Sequence, residues 1–382
     1  MTEIHGFTDP RFAAVRDAFA ANFASGDDVG ASFAATLAGE TVVDLWAGHA
    51  DEAKTRPWEK DTIVNVYSTT KTMTALTALL LADRGELDFA QKVAHYWPEF
   101  AANGKADVTV AQLMSHSSGL SGFKERMAAA DLYDWDKATS VLAAQAPFWE
   151  PGTAAGYHAV TQGYLVGEVV RRITGASLGT VFRTEIAEPL GADFHIGLSA
   201  DHDHRVADLI PPPPGGSISD LSDRPLTINM ATNPPINPRD TWTRDWRAAE
   251  IPAANGHGNA RSIAEIQALL ANGGVAKGKR ILSEAGARRA LEPQIKGEDM
   301  VLGGPAHYGL GFGLPGGAVP LPNANSCYWG GYGGSLIIID MDARTSIAFA
   351  MNKMASTTVG DTRAYGLAMA MWQAMAANGA AA

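Results

Sequence analysis

The stretch NVYSTTKTMT, residues 65–74, places a serine and a lysine three positions apart, Ser68 and Lys71. Positions i and i+3 of an α-helix share a face, so a helix that begins at Ser68 would point both side chains the same way. A helix N-terminus also presents free backbone N–H groups and a positive potential. A neutral lysine amine can take the proton of the serine, which makes the serine a better nucleophile. The simpler alternative is that Ser68 caps the helix and Lys71 is solvated.

The residues around this pair favour a chemical role over the simpler alternative. The segment TMTALTALLLA, residues 72–82, is too apolar for a surface helix, and a buried Lys71 is costly unless it has a function. Tyr157 follows a Pro-Gly turn at the predicted start of another helix, where it could share protons with Lys71. In CYWGGYGGSLIII, residues 327–339, glycines precede a buried strand. Glycine allows a close backbone approach there, and the neighbouring N–H groups could face a ligand.

Apolar periodicity and turn residues predict strands near both ends of the chain and helices between them. The predicted helices are 9–24, 68–84, 109–116, 157–175, 262–274 and 360–377. The predicted strands are a hairpin over 32–51 and single strands over 307–314, 335–342 and 345–352, with a tight turn at 342–344. Prolines over 205–247 predict a long loop. This order predicts a discontinuous α/β domain of residues 1–85 and 251–382, with a mainly helical domain of residues 86–250 inserted in it.

Composition excludes several classes of protein. The chain has 382 residues, 46% of them hydrophobic, and a formal net charge of -11. Its lysines and arginines are scattered, so no nucleic-acid partner is expected. Cys327 is the only cysteine, so no internal disulfide can form, and we expect a small buried side chain rather than a nucleophile. The sequence shows no signal peptide and no run of roughly 18 apolar residues, so we expect a cytoplasmic protein with no membrane partner.

Other polar motifs have ordinary interpretations. The run DHDHR, residues 201–205, lies in a charged segment without an H-E-x-x-H helix, so we expect a solvated loop and no metal site. No dinucleotide-binding or P-loop pattern occurs, and no cofactor is predicted. His116 is expected to have a structural role at a helix end. His158 follows Tyr157 directly, but neighbouring helical residues point apart, so no catalytic role is expected for it.

Three short motifs occur in a characteristic order: S-T-T-K at 68–71, Tyr157, and W-G-G at 329–331. Together with HSSGL, EPG and NGHGNARSIAEI at 116–120, 150–152 and 255–266, they make the chain resemble the serine β-lactamase and penicillin-binding protein superfamily. The resemblance is greatest to its esterase branch, the family VIII carboxylesterases, and it covers nearly the whole chain. It implies a β-lactamase/transpeptidase-like fold, an antiparallel sheet flanked by helices with an inserted, mainly helical region.

The resemblance also implies roles for individual residues. Ser68 would be the acylated nucleophile, and Lys71 and Tyr157 would share the acid and base roles, with the choice between them open. The backbone N–H groups of Ser68 and Tyr332 would form the oxyanion hole. The residues expected to contact substrate are Trp329, Gly330, Gly331, Tyr332, Phe123, Trp149 and His257.

Two departures from the family pattern favour esters over β-lactams. The second motif is usually Y-x-N, but here Ala159 occupies the Asn position. The third motif usually begins with a lysine that helps to hold the β-lactam carboxylate, and here Trp329 replaces it. We therefore predict a serine hydrolase of short-chain carboxylic esters, with a small-molecule ester as its partner. The alternatives are a β-lactamase or amidase with weak β-lactam turnover, an acyltransferase, and a non-catalytic binding protein; the oligomeric state is left open.

Overall fold

The structure, a computed structural model, describes residues 2–213 and 224–379 as short strands and helices joined by turns. The strands are β1 Ile4–Thr8, β2 Gly30–Leu37, β3 Glu40–Gly48, β4 Ile63–Asn65, β5 Phe194–His195, β6 Val206–Ala207, β7 His257–Gly258, β8 Val275–Ala276, β9 Lys279–Arg280, β10 Ile295–Glu298, β11 Pro305–Tyr308, β12 Ser326–Gly330, β13 Leu336–Asp340 and β14 Thr345–Met351. The α-helices are α1 Ala13–Ala24, α2 Lys71–Asp83, α3 Val93–Tyr96, α4 Val110–Met114, α5 Trp135–Ala144, α6 Thr161–Thr174, α7 Leu178–Phe182, α8 Glu188–Leu190, α9 Pro225–Thr232, α10 Arg244–Ala248, α11 Ala260–Ala271, α12 Glu284–Arg288 and α13 Thr362–Ala377. Helical turns of the 3-10 type occupy Pro10–Phe12, Tyr67–Thr70, Pro98–Ala101, Ala129–Tyr133, Ala200–Arg205, Pro238–Trp242 and Arg289–Leu291, and a π-helical turn occupies Arg183–Ala187. Within these ranges, no helix has both the length and the apolar character needed to cross a membrane.

The largest sheet joins the two ends of the chain. In the described part of the chain it has six antiparallel strands in the order β1-β3-β2-β14-β13-β12. Phe33 of β2 pairs with Phe349 of β14, and Ile347 of β14 pairs with Ile338 of β13. Every residue of β14 is buried, so both faces of the sheet are covered. Helix α11 packs on β2 and β14, while α1 packs against α13. The predicted antiparallel sheet flanked by helices is confirmed.

The apolar stretch after Lys71 forms the helix on which the candidate site is built. Every residue of α2 from Lys71 to Leu81 is buried, and the helix packs against α6, α7 and α12. The prediction of a buried helix over 68–84 is confirmed, except that its first turn, Tyr67–Thr70, is of the tighter 3-10 type. Ser68 therefore lies in that tighter turn, and Lys71 begins the α-helix.

The region between residues 86 and 250 is mainly helical. It contains α3 to α10, together with the two-residue strands β5 and β6. Strand β6 pairs with β4, and β5 pairs with β7, so this region is hydrogen-bonded to segments on both sides of it in the sequence. Its boundaries as a separate domain, at residues 85 and 251, stay a prediction.

The prediction of one long loop over 205–247 is wrong for the part that the structure describes; residues 214–223 lie outside it. Residues Pro225–Thr232 form α9, Pro238–Trp242 form a 3-10 turn, and Arg244 begins α10. Proline is well tolerated in the first turn of a helix, because its missing N–H would have no partner there. Both Pro225 and Pro238 are in that position, so the prolines mark helix starts.

Two further predictions about local structure are wrong. Tyr157 is not at the start of a helix, because α6 begins four positions later, at Thr161. Only Pro305–Tyr308 of the region around 307–314 forms a strand, because the chain turns at Gly311, where φ is +90°. The glycines of the W-G-G segment do precede a buried strand, β13, as predicted, and Ser326–Gly330 is itself strand β12.

Candidate active site

Ser68 lies at the centre of a hydrogen-bonded cluster of buried side chains. Its Oγ is 3.1 Å from Lys71 Nζ and 2.5 Å from Tyr157 Oη. Lys71 is fully buried, and Ser68 and Tyr157 are 8% and 6% exposed. The structure thus brings together three side chains that were selected from the sequence, although Tyr157 is 89 positions away from Ser68.

The surroundings of Lys71 suit a neutral amine. Its Nζ donates to the carbonyl oxygens of Ala159 at 2.7 Å and Ala253 at 2.9 Å. Nζ also contacts Ser68 Oγ at 3.1 Å. In the neutral form, which has two N–H bonds and one lone pair, the amine can donate both N–H bonds to the carbonyls and accept from Ser68 Oγ through the lone pair. Burial holds the pKa of Lys71 well below its usual value. Lys71 is therefore placed to accept a proton from Ser68 at neutral pH.

Tyr157 has the opposite character. Burial raises the pKa of its phenol above the usual value, and this effect outweighs the hydrogen bond to Ser68, which lowers the pKa. The phenol is therefore protonated and donates to Ser68 Oγ. Because Ser68 Oγ accepts from Tyr157, its own proton is free to point at Lys71 Nζ. The three groups form a directed proton chain from Tyr157 through Ser68 to Lys71.

The main chain bends sharply just before Ser68. Tyr67 has a φ of +43°, close to the left-handed region that few non-glycine residues adopt. Its ring is held edge-on against Trp246 and Tyr332, with ring centroids 6.2 and 5.6 Å away. Backbone conformations of this kind persist where the surrounding packing imposes them, and they cluster at active sites. The bend between β4 and α2 presents Ser68 on a rigid turn.

The W-G-G segment lies directly against this turn. A Cβ atom at Gly331 would lie only 2.1 Å from the carbonyl oxygen of Val66, so only glycine fits there. The carbonyl of Gly331 accepts from Gly334 N–H at 3.1 Å, and a trans peptide therefore directs the N–H of Tyr332 the opposite way. Among the residues that the structure describes, neither Tyr332 N–H nor Ser68 N–H has a protein acceptor. Both are available as oxyanion-hole donors.

A cavity of about 220 Å³ opens beside Tyr157. The residues that line it are Tyr157, Asp299, Leu302, Gly303, Pro305, Tyr308, Ala318, Tyr328, Trp329, Gly330, Thr358 and Val359. Two of the residues predicted to contact substrate, Trp329 and Gly330, are therefore at its wall. Trp329 has one face stacked on His116, with ring centroids 5.2 Å apart and an interplanar angle of 22°.

The other predicted contact residues do not line this cavity. Phe123 is 1% exposed and packs edge-on against Tyr164 in the core. Trp149 packs against His158, and its indole N–H donates to a backbone carbonyl. His257 is fully buried in β7, where burial lowers its pKa to about 3. Aromatic and histidine side chains are as useful for filling a core as for binding a ligand. A contact between substrate and these three residues stays a prediction. Gly331 and Tyr332 lie at the turn beside Ser68.

The two histidines near Tyr157 are neutral and structural. His158 Nε2 accepts from Leu120 N–H at 3.2 Å, so Nδ1 carries the proton and donates to Gly156 O at 2.6 Å. His116 Nδ1 accepts from His158 N–H at 3.1 Å. Burial lowers the pKa of His158 to about 3 and that of His116 well below its usual value. His116 supports the wall residue Trp329, which agrees with the structural role expected for it.

Asp299 is a site residue that sequence reasoning missed. Its buried carboxylate accepts a hydrogen bond from the backbone N–H of Tyr157 at 3.1 Å and one from Tyr308 O–H at 2.8 Å. The surrounding sequence, GEDMVLGG at 297–304, has the composition of an ordinary polar turn. No pattern in it marks Asp299 as a neighbour of Tyr157, which is 142 positions away.

Comparison with known proteins places these features in a family. The profile described as Beta-lactamase matches residues 15–370. The chain belongs to the beta-lactamase family. This confirms the superfamily that the S-T-T-K, Tyr157 and W-G-G motifs indicated, together with the fold that the resemblance implied.

Relatives within the beta-lactamase family include an esterase and a carboxylesterase. The protein named Esterase/beta-lactamase LipL, of Mycobacterium tuberculosis, is 36% identical over 370 residues, which cover 93% of this chain and 84% of that protein. A solved structure of a family VIII carboxylesterase is 46% identical, covers 97% of this chain and 100% of its own, and superposes with a TM-score of 0.92. A penicillin-binding protein homologue from Caulobacter crescentus is 40% identical, covers 98% of this chain and 100% of its own, and has a TM-score of 0.90. These beta-lactamase-family relatives support a hydrolase.

Proposed function

We propose that this chain is a serine carboxylesterase that forms an acyl-enzyme on Ser68. The observation that carries the proposal is the contact of Ser68 Oγ with Tyr157 Oη at 2.5 Å and with the buried Lys71 Nζ at 3.1 Å. Of the two groups whose roles the sequence left open, the buried amine is the better base and the phenol the better acid. The named activities of the relatives point the same way.

The reaction follows from the positions of these groups. As Ser68 Oγ attacks the ester carbonyl, Lys71 takes its proton, and the carbonyl oxygen becomes an oxyanion between the N–H groups of Ser68 and Tyr332. When the bond to the alcohol breaks, Tyr157 gives its proton to the leaving oxygen and regains one from Lys71. Lys71 is then neutral and Tyr157 protonated again. Water attacks the acyl carbon and gives a proton to Lys71; when the bond between the acyl carbon and Ser68 Oγ breaks, Lys71 returns that proton to Oγ and the acid is released.

The cavity favours a small, uncharged ester group. Lysine, arginine and histidine are absent from its described lining, so a carboxylate on the substrate would meet no cation there. Its volume of about 220 Å³ suits a small group. Trp329 contributes an indole where the family pattern has the lysine. We therefore propose short-chain, neutral esters as substrates, with β-lactams turned over weakly.

The test is hydrolysis of p-nitrophenyl esters with acyl chains of two to twelve carbons, with nitrocefin as the β-lactam. Labelling with a fluorophosphonate, followed by peptide mapping, identifies the nucleophile. We expect turnover of the short esters, little turnover of nitrocefin and a single label on Ser68. Comparable rates on nitrocefin would instead support a β-lactamase. A new ester formed from an added alcohol would support an acyltransferase, and a protein that no phosphonate labels would support the binding-protein alternative.

Tyr157→Phe should lower kcat by more than about 10²-fold, because it removes the proton donor and leaves the ring in place. Tyr164→Phe is the matched control: that phenol is also buried, but it donates to the carbonyl oxygen of Leu132. Steady-state kinetics on p-nitrophenyl acetate measure both variants. Turnover of Tyr157→Phe close to that of the wild type would contradict the acid role.

Leu302→Ala should extend the range of accepted esters, because it removes part of the cavity wall. We expect the acyl chain with the highest kcat/KM to be about two carbons longer than in the wild type. Measurement of kcat/KM across the p-nitrophenyl ester series checks this. Leu321→Ala is the control, since Leu321 is also partly buried but does not line the cavity. An unchanged preference in Leu302→Ala would show that the variable part of the substrate does not occupy this cavity.

A further inference from the structure

The carboxylate of Asp299 lies between two chain segments on the far side of Tyr157 from Ser68. Its Oδ1 accepts from the N–H groups of Tyr157 at 3.1 Å and of Val301 and Leu302 at 2.8 Å each. Its Oδ2 accepts from Tyr308 O–H at 2.8 Å. The residue is 1% exposed, so these bonds replace the water that an ionised carboxylate would otherwise need.

Backbone bonds make this carboxylate part of a closed turn. Asp299 N–H donates to Gly304 O at 3.0 Å, and Gly303 N–H donates to Asp299 O at 2.9 Å. Met300 N–H donates to Ala155 O at 2.9 Å, which ties the turn to the segment just before Tyr157. Within the described chain Asp299 forms no ion pair with a lysine, arginine or histidine. The partners of this buried carboxylate are therefore mainly backbone N–H groups, one of which belongs to Tyr157.

Tyr157 needs such an attachment. It lies before the first residue of α6, so no helix hydrogen bond fixes its main chain. The N–H groups of Gly156 and His158 donate to His116, and the N–H of Tyr157 itself donates to Asp299. Its ring is packed beside His116 and Trp329, with centroids 5.2 and 6.0 Å away, but rings in contact can still slide. The distance that matters for proton transfer is the 2.5 Å between Tyr157 Oη and Ser68 Oγ.

We propose that Asp299 is a positioning residue for the acid–base step, which holds the main chain of Tyr157 so that its phenol stays in hydrogen-bond contact with Ser68. This inference rests on the proposed esterase function. Burial is the main reason that the pKa of Tyr157 is raised, and the nearby charge of Asp299 adds to the shift. The same carboxylate therefore also helps to keep the phenol protonated.

The test compares three replacements of Asp299. In Asp299→Asn the amide oxygen can still accept the three backbone N–H bonds, so kcat should stay within about tenfold of the wild type. In Asp299→Glu the charge is kept, but the extra methylene displaces the oxygens, and kcat should fall about 30-fold or more. The kcat of Asp299→Ala should fall at least as far as that of Asp299→Glu. The loss should appear mainly in kcat rather than in KM, because the position of the Tyr157 phenol matters most in the transition state.

Thr227→Val is the matched control, since it removes a hydrogen bond to the carbonyl oxygen of Val301 in the same turn without touching Asp299 or Tyr157; its kcat should stay within about threefold. Hydrogen exchange of the Tyr157 amide, followed by mass spectrometry, gives a second readout. Exchange should be faster in Asp299→Glu and Asp299→Ala and unchanged in Asp299→Asn and Thr227→Val.

The pattern of variants decides the inference. Full activity in Asp299→Glu with loss in Asp299→Asn would show that charge matters rather than position, and would overturn it. Wild-type kcat and exchange in every variant would overturn it as well. The esterase proposal would be refuted if the wild-type protein showed no ester turnover and no label on Ser68. Amide exchange does not depend on activity, so it would still show whether Asp299 positions Tyr157.

Discussion

Replacing Ser68 with alanine is expected to abolish phosphonate labelling and to lower ester turnover by about 10³-fold or more. Alanine removes the only atom of the proton chain that can form the acyl bond, while the oxyanion donors and the cavity remain. Residual activity would then come from binding and electrostatic stabilisation alone. The substitution removes a single oxygen atom, so the fold should be retained.

The control for this variant is Ser115→Ala. Ser115 is also buried, but its Oγ contacts Ser117 Oγ at 3.0 Å and takes no part in the chain that links Lys71 and Tyr157. The ester turnover of Ser115→Ala should stay within about threefold of the wild-type value. A Ser68→Ala protein that still hydrolyses esters and is still labelled, on another residue, would show that residues 65–74 form a helix start without catalytic chemistry.

Lys71→Met is expected to lower kcat by about 10³-fold, within the range that a general base contributes. Methionine fills the same buried space but has no basic nitrogen. Lys71→Arg is the informative partner, because guanidinium carries a permanent positive charge and cannot accept a proton at neutral pH. Both variants should be inactive if Lys71 is the base. Activity in Lys71→Arg alone would show that a positive charge, rather than a base, is required.

The low pKa of Lys71 also predicts how the wild-type enzyme depends on pH. Below that pKa the amine is protonated and its lone pair is lost, so kcat/KM should decline on the acid side. On unfolding near neutral pH, Lys71 takes up a proton, because an exposed lysine has a pKa of about 10.4. The free energy of unfolding should therefore rise with pH between the folded-state and the unfolded-state pKa of this group. The free energy of unfolding, measured by denaturant titration at several pH values from 7 to 9, should rise less steeply with pH in Lys71→Met than in the wild type.

The sequence predicted those parts of the molecule in which residue type and spacing carry a physical meaning. The apolar run after Lys71 predicted a buried helix, and the alternating apolar strands near the C-terminus predicted part of the sheet. The pair Ser68 and Lys71 was recognisable because three positions make one helical turn. Tyr157 and the W-G-G motif were recognisable through the family resemblance, and all of these groups lie around one site.

Other features depend on contacts that no local pattern encodes. The orientation of Phe123 and His257 into the core follows from packing against distant segments. The role of Asp299 depends on a hydrogen bond across 142 positions. The helices at 225–248 were not predicted, because their prolines indicated a loop. Proline breaks the interior of a helix but is acceptable in the first turn of a helix.

The pairing of β2 with β14 has a consequence for how the chain is made. The hydrogen bond from Gly30 N–H to Asn352 Oδ1, at one end of this pair, spans 322 positions. A ribosome that adds about 5–20 residues per second needs roughly 15–65 seconds to cover that distance. During this interval β2 has an unpaired, apolar edge, which is a template for pairing with other nascent chains. Ser68 leaves the ribosome early, but its turn is completed only when Gly331 arrives, so the site cannot assemble until translation is nearly finished.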